Sequence, residues 1–387
     1  MPLPPLSDFH ADLRAFAEEH VPADYRGFYY VSEDEYPATI QFNRRFAELL
    51  AERGLLVPGW PVEHGGQGLP FLRQMEIAEE MAYWLEPRGA FYMAVNWIGP
   101  VLIRFGSVEQ QRRHLPPIAR AETLWCEGFS ERNAGSDLAA AATKATPVAE
   151  GYKITGHKIW ISYADHAEWC ILVARTFQGE RRHDGLSLLL VPMDTPGITV
   201  RPIPACFGAH LNEVFFDDAL VGEDSIVGEP GQAWGMITGS LDLERIDTLS
   251  YAECQRVVDE IAQVLGSRIS GAVRRTARLR LADISASILA ARYLIRRLNE
   301  EMDRGTVVSH ECSAAKIYLS ELYERTANMA RSILGDAACL HSSAGNVPLK
   351  GHIDRMLRWC KTGTIAAGAN EIQRTIIATR GLGLPRG

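Results

Sequence analysis

Two stretches of the sequence combine residue types that suit a flat, polar ligand. The first is WCEGFSERNAGSD, Trp125 to Asp137, and the second is KIWIS, Lys158 to Ser162. Asn133, Gly135, Ser136 and Asp137 favour turns, because Gly tolerates positive φ and short polar side chains bond nearby backbone. A loop of that kind gathers N–H groups and hydroxyls at one place, which suits a polar heteroaromatic ring or a phosphate. An ordinary connection uses the same residues, so the loop alone decides nothing. KIWIS adds the apolar face of Trp160 and, two residues on along the same side of a strand, the hydroxyl of Ser162. An aromatic platform beside a hydroxyl is what a flavin ring needs at its benzenoid edge and its N5.

The two stretches resemble the flavin-binding loop and strand of the acyl-CoA dehydrogenases, which read T-E-P-x-A-G-S-D and K-x-W-I-T. The resemblance runs to the end of the chain and is strongest toward the dehydrogenases of bacterial steroid catabolism. There the loop begins with a similar L-W-C-x-G-[FY]-S-E, and the chain ends in a similar L-G-L-P-R, here Leu382 to Arg386. It implies FAD as cofactor, an acyl-CoA substrate and an electron-transfer flavoprotein as acceptor. On the matched positions, Phe129, Ser130, Gly135, Ser136, Trp160, Ile161, Ser162, Ala369, Asn370 and Glu371 would hold the cofactor. Ser130 would bond the pyrimidine side of the flavin, Ser162 its N5 region, and Trp160 would cover one ring. Ser136, Asp242, Arg245 and Gly368 would touch the substrate or hold the base loop. Arg132 stands where the family usually has Pro, a departure in the shape of the loop.

The implied reaction needs a base for the α-proton of the thioester. A carboxylate buried among apolar groups is suited to this, since burial raises its pKa toward the working pH. In many family members that Glu lies in an E-G-T motif. The matching segment here, IAAGANEIQR, has Ala367 at the Glu position. A second branch, the isovaleryl-CoA and long-chain enzymes, carries its base in a run like L-D-L-E-R. Leu241 to Arg245 reads LDLER, which makes Glu244 the expected base. Alone, Glu244 would read as a surface helix residue; the local match and the empty usual position together favour catalysis. The Ala367 N–H would polarise the thioester oxygen, a role for backbone that survives loss of the Glu side chain. Glu371, one turn further on, reads as charging the first turn of its helix. The reaction would yield a trans-2-enoyl thioester, with a bulky, branched or steroid-derived acyl group implied by the position of the base. Coenzyme A and a carrier protein both remain open as the thiol.

Two patches that family members lend to a neighbouring subunit's flavin are altered. LGSRISGAVRRTARLRLAD lacks the T-F-G of the first, with Arg268 or Arg274 as substitutes, and CLHSSAGNVPL has Ser343 and Ala344 where paired glycines are usual. Side chains there obstruct the close approach of a phosphate to backbone. The chain thus keeps the half-site for its own flavin and has lost the half it would lend. The expectation is an oligomer, either an α2β2 heterotetramer completed by a second dehydrogenase-like chain or, as the alternative, a homo-oligomer. The same fold also serves O2-using flavin oxidases and N-hydroxylases, and a flavin-free structural subunit is the non-enzymatic alternative.

The elements that must position these residues follow from periodicity. The N-terminal part reads as helical, with Ser7-Asp8 as a cap and Phe9, Leu13, Phe16 and Ala17 on one face. Phe42, Phe46, Leu49 and Leu50 repeat that spacing, and a further helix is expected over about 71–105. From about 124 to 228, short alternating segments between Pro and Gly predict a small barrel or sandwich. Helices return over about 233–265, 272–303, 309–335 and 354–379, enough for an antiparallel bundle. The expected fold is mostly α with a central β domain: a helical domain over 1–121, a β-barrel domain over 122–229 and a four-helix bundle over 230–387.

Composition sets limits. The 387 residues carry 47% hydrophobic and 23% charged residues, ordinary for a globular chain of two or three domains. A net charge of −8 argues against a general nucleic-acid binder. No apolar run reaches membrane-spanning length, the start lacks the pattern of a signal peptide, and a cytoplasmic location is expected. The seven scattered cysteines include no C-x-x-C, which predicts reduced, mostly buried thiols and no metal site. His64 sits in a Gly/Pro-rich turn with no partner nearby and reads as solvated.

Overall fold

The structure is a computed structural model that describes residues 3–27, 35–208, 211–239, 250–268, 271–306, 309–345 and 347–385. The chain forms two compact units. One comprises Met1–Tyr30, Leu69–Pro87 and Asp242–Gly387; the other comprises Val31–Gly68 and Arg88–Leu241.

The second unit is built on an eight-stranded sheet. Its strands are β1 (Trp125–Gly128), β2 (Lys144–Val148), β3 (Gly151–Ser162), β4 (Trp169–Arg175), β5 (Leu186–Pro192), β6 (Ile198–Pro202), β7 (Leu211–Val221) and β8 (Ile226–Val227). They run in the order β6-β7-β3-β2-β4-β5-β8, with β1 parallel to β4. Strands β4 and β5 are buried almost end to end, as the apolar run CILVA and the nearly apolar LSLLLV require. Strand β3 alternates instead, with Ile154 and Ile161 buried and Thr155 and Lys153 at the surface.

Helix α2 (Tyr36–Glu52) of this unit buries Asn43, Phe46, Ala47 and Leu50, so its apolar stripe lies one position away from the expected Phe42 and Leu49. The single helix expected over 71–105 is broken. Helix α3 (Phe71–Tyr83) ends in a turn where Leu85, Glu86 and Gly89 all take positive φ. Helix resumes as α4 (Phe91–Met93), passes through a π turn at Ala94–Ile98 and continues as α5 (Gly99–Phe105). Pro100 brings no N–H to the Val95 carbonyl five residues back, and the Trp60 indole donates to it instead at 3.1 Å. Gly99 makes room for that indole, since a Cβ there would lie 1.9 Å from the Trp60 ring. Helix α6 (Val108–Ala119) begins with a capping box between Ser107 and Gln110.

The first unit is a helical bundle: α1 (Asp8–His20) and α3 with α7 (Ser250–Arg268), α8 (Gly271–Asp303), α9 (Ser309–Leu334) and α10 (His352–Trp359). Ile261, Ile288, Ala291, Ile295, Leu322 and Met356 lie at the centre of its apolar core. The Ser7 hydroxyl caps α1, accepting from the His10 N–H at 3.2 Å. His10, rather than the expected Phe9, joins Leu13, Phe16 and Ala17 on the buried face, because its ring bonds the buried Glu80 at 3.1 Å. Next to it, Arg292 forks onto Glu79 at 2.6 and 2.8 Å, and Tyr251 donates to the same carboxylate at 2.6 Å. Buried charges survive only when paired in this way.

The helix expected over 354–379 is also broken, into α10, α11 (Thr362–Ile365) and α12 (Asn370–Ile376), which passes into a π turn at Ile377–Gly381. The break before α12 falls where Ala367 and Gly368 take φ of 52° and 82°. Five of the seven cysteines are buried, Cys206 and Cys339 are exposed, and none of the seven is in a disulfide.

Candidate active site

The loop after β1 is closed from within. Glu131 and Ala134 exchange both backbone hydrogen bonds at 3.1 Å, leaving Arg132 and Asn133 at the tip. The Glu131 carboxylate then accepts from the N–H groups of Ala142 and Thr143 at 2.7 and 2.9 Å, drawing the far end of the loop back to its start. Lys158 of β3, with no exposed surface, donates to Glu131 at 2.8 Å and to the Phe129 carbonyl at 2.9 Å. The Ile159 N–H donates to the Ser130 carbonyl at 2.9 Å. Burial lowers the Lys158 pKa and Glu131 opposes that. Burial raises Glu131, but the Lys158 ammonium and the two N–H groups outweigh it and leave the carboxylate below its usual range. The Lys of KIWIS and the Glu of SERNAGSD are therefore scaffold, joining the two motifs into one body.

On that body Asn133, Gly135, Ser136 and Asp137 are exposed, while Phe129 and Ser130 are half-buried. Gly135 does not use positive φ; a Cβ built there would meet no chain atom within 4 Å, so the space in front of it is open. Arg132, in place of the usual Pro, reaches Glu213 of β7 at 3.2 Å.

Strand β3 carries a bulge at the other motif. Lys158 pairs with Val214 and Ile161 with Asn212, so three steps along β3 span two along β7. The extra residue lets Trp160 take φ +63°, and Tyr163 follows at +60°. Positive φ on bulky residues stores strain that the surrounding structure must hold. The bulge turns the Trp160 ring outward, where 57% of its surface is exposed, while Ile161 is buried and Ser162 half-buried.

In the bundle unit, the turn Ala366–Ala369 precedes α12. Gln373 donates its side-chain amide to the Gly368 carbonyl at 2.9 Å and the Ala367 carbonyl at 3.4 Å. Asn370 is buried and accepts from Lys316 at 2.9 Å, and it exchanges hydrogen bonds with Ser320 on α9. The turn is thus fixed at both ends with Ala367 left-handed. Glu371 is exposed in the first turn of α12, where a negative charge complements the helix dipole. Asp242, Glu244 and Arg245 lie outside the described residues, as do the side chains of Arg268, Arg274 and Ser343. Among the described residues, no three His, Cys, Asp or Glu side chains are grouped to hold a metal ion.

Lys158 and Glu131 stand inside the motifs, yet their composition gives no sign that they pair with each other. Lys316, Ser320 and Gln373 carry no motif signal, because their role comes from helix packing. An exposed indole on a strained bulge is costly unless something covers it. That face, with Ser130 bonded to the neighbouring Ile159 and Ser162 two residues on, fits the ring of a flavin, and flavin-dependent dehydrogenases are the class that this fold and loop define.

Comparison with known proteins makes the class specific. Family models for the acyl-CoA dehydrogenase N-terminal, middle and C-terminal domains match residues 6–122, 126–219 and 231–382. The acyl-CoA dehydrogenase IpdE1 of Mycolicibacterium smegmatis is 35% identical, over 98% of both chains. Among solved structures, the ChsE4-ChsE5 complex from Mycobacterium tuberculosis superposes with a TM-score of 0.87 and 28% identity, covering 100% of this chain and 99% of that one. The Tcur3481-Tcur3483 steroid ACAD gives a TM-score of 0.86 and 28% identity, over 99% and 98%. The chain belongs to the acyl-CoA dehydrogenase family, and it is an FAD-dependent oxidoreductase.

Proposed function

We propose that the chain removes the α-proton and β-hydride of an acyl-CoA thioester to give the trans-2-enoyl-CoA, with Glu244 as the base. The observation that supports this most is the turn at Ala367. The family's usual carboxylate is absent there, yet the backbone keeps a fixed left-handed shape, stabilised by Gln373 and Asn370. A turn maintained without its carboxylate is what a site needs when only its backbone donor is used. The Ala367 N–H donates to the thioester oxygen and makes the α-proton more acidic. Glu244 takes that proton, and Asp242 and Arg245 hold the base segment. Ser136 and Gly368 position the pantetheine end of the substrate.

Phe129, Ser130, Gly135, Ser136, Trp160, Ile161 and Ser162 are the cofactor residues of the sheet unit; Ala369, Asn370 and Glu371 are those that the family likeness gives in the bundle unit. FAD, when bound, would supply the two-electron acceptor for the hydride, with an electron-transfer flavoprotein as the partner that would take the electrons onward. The acyl group is bulky or steroid-derived, a reading supported by the likeness to the steroid ACAD. Assembly with a second dehydrogenase-like chain is supported by two-chain relatives of the same fold. The chain works in the cytoplasm, and its three sequence segments divide near 121 and 229.

Changing Glu244 to Gln tests the base. The variant is expected to bind flavin normally and to lose about 10²–10⁴ in turnover of acyl-CoA. Turnover equal to the parent enzyme would remove Glu244 from that role.

A further inference from the structure

Arg175, the last residue of β4, directs its guanidinium at backbone carbonyls. Nη1 donates to Asp184 at 2.7 Å, and Nη2 donates to Ala139 and Arg182, each at 3.0 Å. Nε and Nη2 both reach Ala141 at 3.3 Å. Ala139 and Ala141 belong to the turn that follows Ser136 and Asp137. Arg182 and Asp184 belong to the connection between β4 and β5. One half-buried side chain thus joins two loops through four carbonyls.

The same turn is held on its other side by Glu131, which takes the N–H groups of Ala142 and Thr143. A cation therefore gathers the carbonyls and an anion gathers the amides within five consecutive residues. The backbone of Arg175 is itself fixed, its N–H donating to Thr143 at 2.8 Å. A further link joins the two loops at the surface, where Arg182 meets Asp137 at 2.9 Å, next to Ser136. Only a planar fork of donors can serve these carbonyls together; a lysine in its place reaches some of them.

We propose that Arg175 is a positioning residue for the dehydrogenation: it locks the Ser136–Asp137 turn and the 181–184 loop into one body, so that the substrate meets Ser136 at a fixed place. This rests on the proposed contact of Ser136 with the pantetheine. Arg175 touches no reacting atom, and its effect falls on substrate binding rather than on proton removal.

Hydrogen exchange on the full-length protein reads the lock directly and needs no turnover. In Arg175→Gln, amides of 136–143 and of 181–186 are expected to exchange faster together, while those of β6 and β7 keep the parent rates. In the holoenzyme, the KM for acyl-CoA is expected to rise about tenfold with kcat within about threefold, and Arg175→Lys is expected to fall between the two. Unchanged exchange, or loosening of one loop alone, would overturn the lock. Loosening of both loops with KM unchanged would make Arg175 structural only, and would also overturn the proposal. Ser136→Ala separates the two readings. If it leaves KM unchanged while Arg175→Gln raises KM, the Ser136 contact fails and the lock stands. If Ser136→Ala raises KM and Arg175→Gln does not, the lock has no part in binding.

Discussion

Lys158 is a cation without exposed surface, and its bond to Glu131, 27 positions earlier, shows why the two motifs work as one. Its ammonium satisfies a carboxylate and a carbonyl that would otherwise be left without it inside the sheet unit. Lys158→Met removes one partner of a buried pair, which costs about 3–5 kcal/mol. The expected outcome is a lower Tm and weaker flavin binding, measured by thermal unfolding and flavin fluorescence. Adding Glu131→Leu should lower the stability further, because the Ala142 and Thr143 N–H groups then lose the carboxylate that accepts from them. A single variant as stable as the parent would contradict the scaffold role. At this scale the sequence showed the Trp160 platform and the turn residues directly. It did not show the bulge, because positive φ on Trp160 is imposed by pairing with β7 and runs against the residue's own preference. Nor did it show Arg175, whose partners are carbonyls from two loops.

Among the elements, α10 is held by its first residue. His352 is fully buried between Glu260, 3.1 Å from Nδ1, and Glu253, 3.1 Å from Nε2. Burial alone would lower the pKa of this imidazole, and a cation at a helix N-terminus opposes the dipole. The two carboxylates outweigh both effects and raise His352 above its usual 6.5. Burial likewise acts to raise Glu260, but the His352 charge and Arg256 pull it down to about 2. The signs follow. The His352 contribution is complete below the unfolded value near 6.5 and is lost as pH rises through the folded value. The Glu260 contribution is present above the unfolded value near 4.5 and is lost as pH falls toward about 2. Thermal unfolding across pH should therefore show stability declining above neutrality. In His352→Gln, Tm should be lower by the equivalent of about 3–5 kcal/mol, without that decline. A parent Tm that rises steadily from pH 6 to 9 would contradict the assignment. Helix existence was legible from apolar spacing. The breaks at 84–90 and 366–369 were not, because Leu85, Glu86 and Ala367 are residues that rarely take positive φ.

For the whole molecule, the alternation of helix, sheet and helix was plain in the sequence, since a period near 3.6 gives way to a period of 2 and returns. The grouping of α1 and α3 with the later helices was not, because it depends on buried charges such as Glu79 with Arg292 that only the folded chain brings together. Among the described residues, no helix is long and apolar enough to cross a membrane. Leu279, Leu289 and Tyr293 are exposed along α8. The most direct measurement is the visible absorbance of the chain purified alone and after co-expression with a second dehydrogenase-like chain, with the flavin-to-chain ratio in each. Little flavin is expected on the chain alone, with flavin gained in the presence of the partner and its band bleached when an acyl-CoA thioester is added without oxygen. A chain that stays colourless under both conditions would contradict the FAD-dependent dehydrogenase at the centre of the account.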